Sequence, residues 1–261
     1  MQPHRPAPFV LQASSHGTMI VNRHDYKMID ERSGFGVGWQ LMTTSVCEGP
    51  EVELLAHLLR LRRKHYGDGV FALDCGANIG TVSVSMASAC YGWGEVLAFE
   101  AQERIFYALA GNLALNNCLN ARAQWSAVGA TDGALAVPVV DYTRPASFGS
   151  LEIRRRANTE DIGQAIDYER TGSVRMVRID SLGLPRVDLL KIDVEGMEFD
   201  VLAGADATIR ERHPVMLIEH IKVDGNQLVE VLRGWGYEVM PAGVNLLAVH
   251  TTDPVLGELK R

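Results

Sequence analysis

The chain has 261 residues, 47% of them hydrophobic and 22% charged, with a formal net charge of −7. That is enough apolar material for one full core, and the acidic balance argues against a protein built to grip a phosphate backbone. No run approaches the roughly 18 consecutive apolar residues of a membrane helix, and MQPHRPAPFV lacks the apolar centre of a secretory signal. Residues 1–48 are rich in Gly, His and Thr, with short extended pieces such as GTMIV and GVGWQLM. They read as an N-terminal arm or hairpin ahead of a main domain spanning 49–261. Gly49-Pro50 opens EVELLAHLLRLRRKHYG, whose apolar residues at 52, 54, 55, 58, 59 and 61 have helical spacing. Acids at its start and bases before Gly67 complement the helix dipole, so the run RLRRK reads as a solvated helix end.

From Val70 onward, strand-like and helix-like segments alternate. VFALDC, EVLAFE, AQWSAV, VDLLKIDV, VMLIEHI, YEVM and NLLAVH are strand candidates. Helices are expected over NIGTVSVSMASAC, RIFYALAGNLALNN, 197–212 and 226–234. Apolar strands separated by helices predict an α/β fold, a mostly parallel sheet covered on both faces. Residues 141–173 break the rhythm with the polar RRRANTEDIGQAIDYERTG, a long inserted loop. Cys47, Cys75, Cys90 and Cys118 lie far apart with no C-x-x-C pair, which predicts free thiols in a reducing, cytoplasmic setting.

The stretch LDCGANIG ends the first strand of that sheet, where open α/β sheets bind their ligands. Gly76 and Gly80 allow a sharp turn and a close approach, and the following helix aims free N–H groups at the site. Ala77 and Asn78 complete this candidate turn. A dinucleotide fingerprint would be G-x-G-x-x-G. Here Asp74 precedes a D-x-G-x-x-x-G spacing, and an acid in that position repels pyrophosphate and attracts a cation. Glu100, with Ala101 after it, ends the second strand where a carboxylate can accept from two ribose hydroxyls. An amino-acid-bearing nucleoside without phosphates, S-adenosylmethionine, fits this set. Ala127 and Val128 are candidates to hold its adenine.

LDCGANIGTVSV, VLAFEAQERIFYALAGNLALNN, SAVG, VDLLKIDVEGMEFDVLAGA and VMLIEH together resemble the FkbM family of S-adenosylmethionine-dependent methyltransferases over about residues 70–222. The resemblance implies a Rossmann-like class I methyltransferase sheet of seven strands, the last antiparallel. It also implies methyl transfer, most often to a hydroxyl oxygen of a sugar, glycan or secondary metabolite. FEAQ departs from the family's FEP-type sequence, and the family pattern gives the arm no role. Asn112 and Asn116 match the family's second helix and are expected to bond loop backbone.

KIDVEGME carries the reacting end. Asp193 ends the fourth strand beside the first, where it can orient or deprotonate a hydroxyl. Lys191 either lowers the acceptor's pKa or pairs with an acid. Glu195 and Glu198 compete between function and helix N-terminal stabilisation, and the resemblance shifts Glu195 toward catalysis. His220 is a candidate base. With Asp193 and Glu219 it could also face a divalent cation, a reading not favoured over a metal-free site. His57, His65 and His213 receive no role. Rival functions are a nicotinamide-dependent oxidoreductase, disfavoured by the glycine spacing, and a non-catalytic cofactor-binding module, disfavoured by the intact KIDVEG. The expected partner is a small-molecule or glycan acceptor, with neither nucleic acid nor membrane; self-association stays open. Residues 30–48 and 141–173 are where the acceptor would be chosen.

Overall fold

The computed structural model describes residues 5–259. The chain starts with an antiparallel hairpin, β1 (Phe9–Ser14) and β2 (Gly17–Asn22), and a short pair, β3 (Lys27–Met28) and β4 (Gly34–Phe35). GVGWQLM, expected to be extended, is instead helix α1 (Val37–Thr44). Tertiary packing overrides its local preference: Gly38 and Leu41, three apart, share the buried face of one helical turn. A Cβ on Gly38 would sit 2.7 Å from the Asp25 Cβ, so only glycine lets α1 seat there.

Helix α2 (Gly49–Tyr66) follows, with Pro50 in its first turn and Arg63, Lys64 and His65 in its last. Its basic end is not wholly solvated: Arg62 is 4% exposed and pairs with Asp188 at 3.1 Å and with Asp253. Alternation then runs through β5 (Val70–Cys75), α3 (Thr81–Ala89), β6 (Gly94–Glu100), α4 (Glu103–Leu115) and β7 (Ala121–Trp125). Next come β8 (Ala127–Val128), β9 (Gly133–Pro138), β10 (Thr171–Val177) and β11 (Leu189–Ile192). The last third holds α5 (Glu198–Gly204), α6 (Asp206–Arg212), β12 (Val215–Glu219), α7 (Gly225–Gly234), β13 (Tyr237–Ala242), β14 (Asn245–His250) and α8 (Val255–Leu259).

Seven strands form the main sheet in the order β13-β14-β12-β11-β5-β6-β7, and β14 runs antiparallel to both its neighbours. This is the seven-stranded sheet that the resemblance implies. Its central strands are buried on both faces, with one apolar cluster on each side, while the edge strands β7 and β13 are only partly covered. AQWSAV breaks at Ser126, because β8 leaves the main sheet to pair with β10, which also pairs with β9. The helix expected over 197–212 divides at Ala205, where Gly204 lies so close to the Gly129 carbonyl that a Cβ would meet it at 2.0 Å.

The polar insertion leaves from the end of β9 and returns as β10, and it folds back over the carboxyl ends of β5, β6 and β11. The arm packs into the core through Met19, Val21 and Leu41. Asn112 and Asn116 hold its hairpin: Asn112 Oδ1 accepts from Ile20 N, and Asn116 Oδ1 from Thr18 N at 3.1 Å. All four cysteines are buried and free. Among the described residues, no helix is long and apolar enough to cross a membrane.

Candidate active site

The turn after β5 has the geometry that its glycine demands. Gly76 has φ +85°, and a Cβ there would fall 1.7 Å from the Asp193 carbonyl oxygen. The loops leaving β5 and β11 therefore touch backbone to backbone, which brings GANIG and KIDVEG to one site. Asn78 is also left-handed, at φ 50°, and its N–H donates to Glu100 Oε2 at 2.9 Å. Gly80 has a different cause: a Cβ would strike Leu109 Cδ1 at 2.6 Å, so helix packing requires it, and it does not line the cavity.

Beyond these strand ends lies a cavity of about 260 Å³. Gly76, Ala77, Asn78, Glu100, Ala101, Ala127 and Val128 line one part of it, as expected. Glu100 accepts from Asn78 N and, through Oε1, from Gln102 N at 2.7 Å. Burial pushes its carboxyl up to about 7, against backbone N–H groups of Gln102, Asn78 and Ala101. A carboxylate has about four lone-pair positions, so Glu100 keeps room to accept from a ribose hydroxyl.

Asp74 lies under this floor rather than on it. It is fully buried, accepts from Ser83 Oγ at 2.5 Å, and sits 4.0 Å from Lys191 Nζ, its register partner on β11. The expected direct contact with the ligand is therefore not what this side chain makes. Strand alternation sends it toward α3.

Lys191, Asp193 and Glu195 line the other part of the cavity together with Glu219. Lys191 Nζ is 3.0 Å from Asp193 Oδ2 and 3.6 Å from Glu51 Oε1. Burial alone would favour its neutral form, yet the surrounding acids hold its pKa well above the usual lysine value. Glu195 has φ 52° and carries its carboxylate back over the site, where burial, then Asp193 and Glu219, push its pKa up to about 9. The Glu219 carboxyl is raised as well, first by burial and then by Asp193. Glu198 takes a structural position, accepting from Gly196 N at 3.0 Å and Val194 N at 3.3 Å.

His220 is absent from this group. Glu219 faces the cavity, and the next residue points the other way; the His220 ring packs against Gly225. The trio with carboxylate oxygens within 4.8 Å of one another is thus Asp193, Glu195 and Glu219, not the Asp193, Glu219 and His220 set. Two lysines already bear on it, Lys191 at Asp193 and Lys222 at 3.7 Å from Glu195.

Several lining residues were marked in the sequence only as part of the segments 30–48 and 141–173, not one by one. Glu48, just before α2, accepts from Thr81 Oγ1 at 2.7 Å, and burial raises its pKa to about 7. Phe35, Val37 and Gln40 come from the arm, and Ser147, Ser150, Leu151 and Ile153 from the insertion. Gln102 had a partial signal in the FEAQ departure. Its Nε2 donates to the Phe148 carbonyl at 2.8 Å, so this position holds the insertion down.

A cavity lined by five acidic side chains and a single, already paired lysine suits a cationic nucleoside better than a pyrophosphate, and the residues fit S-adenosylmethionine. Residues 74–239 match the family described as the methyltransferase FkbM domain. Methyltransferase 1 of Beauveria bassiana is 31% identical over 153 residues, covering 54% of this chain and 60% of that protein. Methyltransferase sdnD of Sordaria araneosa is 28% identical over 193 residues, covering 65% and 74%. The chain thus spans three-fifths of the first relative's length. Among solved structures, a methyltransferase FkbM from Methylobacillus flagellatus aligns with TM-score 0.47 at 15% identity, covering 78% of this chain and 59% of that one. The O-methyltransferase TomG from Streptomyces achromogenes, solved with SAM, aligns with TM-score 0.47 at 14% identity, covering 78% and 82%.

Proposed function

The chain belongs to the FkbM methyltransferase family, and on that premise we propose that it transfers a methyl group from S-adenosylmethionine to a hydroxyl oxygen of a sugar, glycan or secondary metabolite. The observation that carries this reading is the joining of the Glu100 end and the Asp193 end of one cavity across the Gly76 turn. When bound, S-adenosylmethionine supplies an electrophilic methyl group on a sulfonium. Glu100 would accept from a hydroxyl of its ribose, and Ala127 and Val128, with Ser126 beside them on the cavity wall, would border its adenine. Asp193 receives the proton of the attacking hydroxyl. Lys191, held cationic by its ring of acids, fixes that carboxylate from 3.0 Å. Glu195 and Glu219, which burial keeps protonated near neutrality, act as donors that orient other hydroxyls of the acceptor. Two carboxyl environments then divide the work of base and donor.

Lys191 is the one lysine or arginine on the cavity wall among the described residues, and it is already paired with acids, so a phosphodiester acceptor would find no cation. Polar Gln40, Thr81 and Ser150 interleave with Phe35, Val37 and Leu151, a lining suited to a hydroxylated, partly apolar acceptor. Calorimetry should give saturable binding of S-adenosylmethionine and none of NADH at equal concentration. A panel of sugars, glycans and hydroxylated metabolites with isotopically labelled methyl donor should then yield a labelled ether. Saturable NADH binding in place of S-adenosylmethionine would overturn the assignment. Cofactor binding with labelling only on nitrogen or carbon would correct the acceptor atom.

A further inference from the structure

We propose that Asp25, which lies outside the family match, is a positioning residue for the nucleoside end of the cavity, acting through a strap formed by residues 146–153. This inference rests on the S-adenosylmethionine reading above. Asp25 is 1% exposed, and its two carboxylate oxygens serve different parts of the chain. Oδ2 accepts from Gly38 N in the first turn of α1 at 3.0 Å, and Oδ1 accepts from Phe148 N in the insertion at 2.9 Å. The backbone reinforces the join: Ala146 N donates to the His24 carbonyl at 3.0 Å, and Asp25 bridges Ala146 in parallel. Gly36 is part of the same seat, since a Cβ there would lie 2.7 Å from the Asp25 carbonyl oxygen.

The strap is held again from the cofactor side. Gln102 Nε2 donates to the Phe148 carbonyl at 2.8 Å, and Tyr142 Oη donates to Gln102 Oε1 at 3.1 Å. Gln102 N–H in turn holds Glu100 Oε1 at 2.7 Å. One residue on, Gly149 sits so close to Asn78 that a Cβ would meet its Nδ2 at 2.7 Å, and the Asn78 N–H holds the other Glu100 oxygen. A continuous set of bonds therefore joins Asp25, Phe148, Gln102 and Glu100. Ser147, Gly149, Ser150, Leu151 and Ile153 make the wall facing Gly76–Asn78.

The residue type matters. Burial disfavours the charged carboxyl of Asp25, and two backbone N–H groups, rather than a cation, offset that cost. A carboxylate accepts from both donors, whereas an amide would turn its NH₂ toward one of them. Asp25 thus sets how firmly the strap closes on the nucleoside.

The test uses the full chain with S-adenosylhomocysteine as probe, reading dissociation by stopped flow and amide exchange at Gly38 and Phe148. Asp25→Asn should raise the off-rate about 10-fold and speed exchange at both amides, the worth of one charge-assisted hydrogen bond. Tyr142→Phe should raise it about threefold, the smaller worth of a neutral bond. Asp141→Asn, in an exposed turn, should change neither. An Asp25→Asn protein that melts earlier but keeps the wild-type off-rate while folded would overturn the proposal. If that variant does not fold, Tyr142→Phe decides, and an unchanged off-rate there also overturns it. Wild-type protein that fails to bind S-adenosylhomocysteine would instead refute the cofactor reading itself.

Discussion

The Lys191 ammonium lies 3.0 Å from Asp193, 3.6 Å from Glu51 and 4.0 Å from Asp74, and its side chain is 3% exposed. One buried cation thus lets several acids crowd the end of a sheet. Lys191→Met would remove that compensation, and stranding buried charge of this kind costs about 3–5 kcal/mol. Urea unfolding monitored by fluorescence would read it; a loss below about 1 kcal/mol would mean that the acids adapt by taking protons. Asp193→Asn asks a separate question, because Glu51 and Asp74 remain around the lysine. Turnover on the acceptor found by labelling should fall about 10²–10⁴-fold, the usual worth of a positioned proton acceptor, with little change in S-adenosylmethionine affinity. Normal turnover would leave positioning alone to drive the reaction. Glu100→Ala should weaken cofactor binding by about 1–3 kcal/mol in calorimetry, the cost of losing a charge-assisted contact. Asp74→Ala should act on the fold first, because its carboxylate meets Ser83 and Lys191 and not the cavity.

Two glycines show what the elements demand. Gly67, after α2, has φ +75° with nothing within 4 Å of a built Cβ, whereas Gly76 has φ +85° and would meet the Asp193 carbonyl at 1.7 Å. Gly67→Ala should therefore cost only backbone strain, on the order of 1–3 kcal/mol, because φ +75° with ψ −174° is a conformation that residues with a Cβ avoid. Gly76→Ala must also force the β5 and β11 loops apart, and should cost over about 3 kcal/mol and abolish cofactor binding. Equal melting temperatures for the two would remove the case that these loops are locked together. The same contrast explains what could be read beforehand. LDCGANIG and KIDVEG announce themselves because strand burial and turn chemistry are local, and so the sheet and the Gly76, Glu100 and Asp193 positions were legible. Helix α1 was not, since its causes are tertiary: the seat that Asp25 gives Gly38 and the core that receives Leu41. Glu48 and the Phe148 strap were hidden for the same reason. Asp74 and His220 were misread because a strand end reveals that a residue is near a site but not which side of the strand its side chain takes.

Across the whole molecule, burial raises the carboxyls of Asp25, Glu48, Glu100, Glu195 and Glu219, the first four to about 6, 7, 7 and 9. A group whose native pKa exceeds its unfolded value favours folding most fully below the unfolded value, 3.8 for Asp and 4.5 for Glu, and that support fades as pH rises to the native value. The opposite holds for Asp30, Asp132, Asp141, Asp161, Glu152 and Glu258, whose pKa values are lowered by hydrogen bonds or ion pairs and whose support is lost as pH falls through the acid range. Stability should therefore peak at mildly acidic pH and decline from about pH 6 toward pH 9. The net charge of −7 steepens the decline through self-repulsion. The melting temperature of the ligand-free protein should drop by roughly 5 °C or more across that interval, since a domain of this size loses about 2–4 °C per kcal/mol. Glu195→Gln, which cannot ionise, should flatten the upper half of the curve, because Glu195 has the highest of these raised values. Saturating S-adenosylmethionine should flatten it too, by placing positive charge beside the same acids. Scanning fluorimetry at constant ionic strength reads all three curves. A ligand-free melting temperature that rises between pH 6 and 9, or a Glu195→Gln curve that overlays the wild type, would show that the acid cluster is relieved by solvent and does not hold its protons.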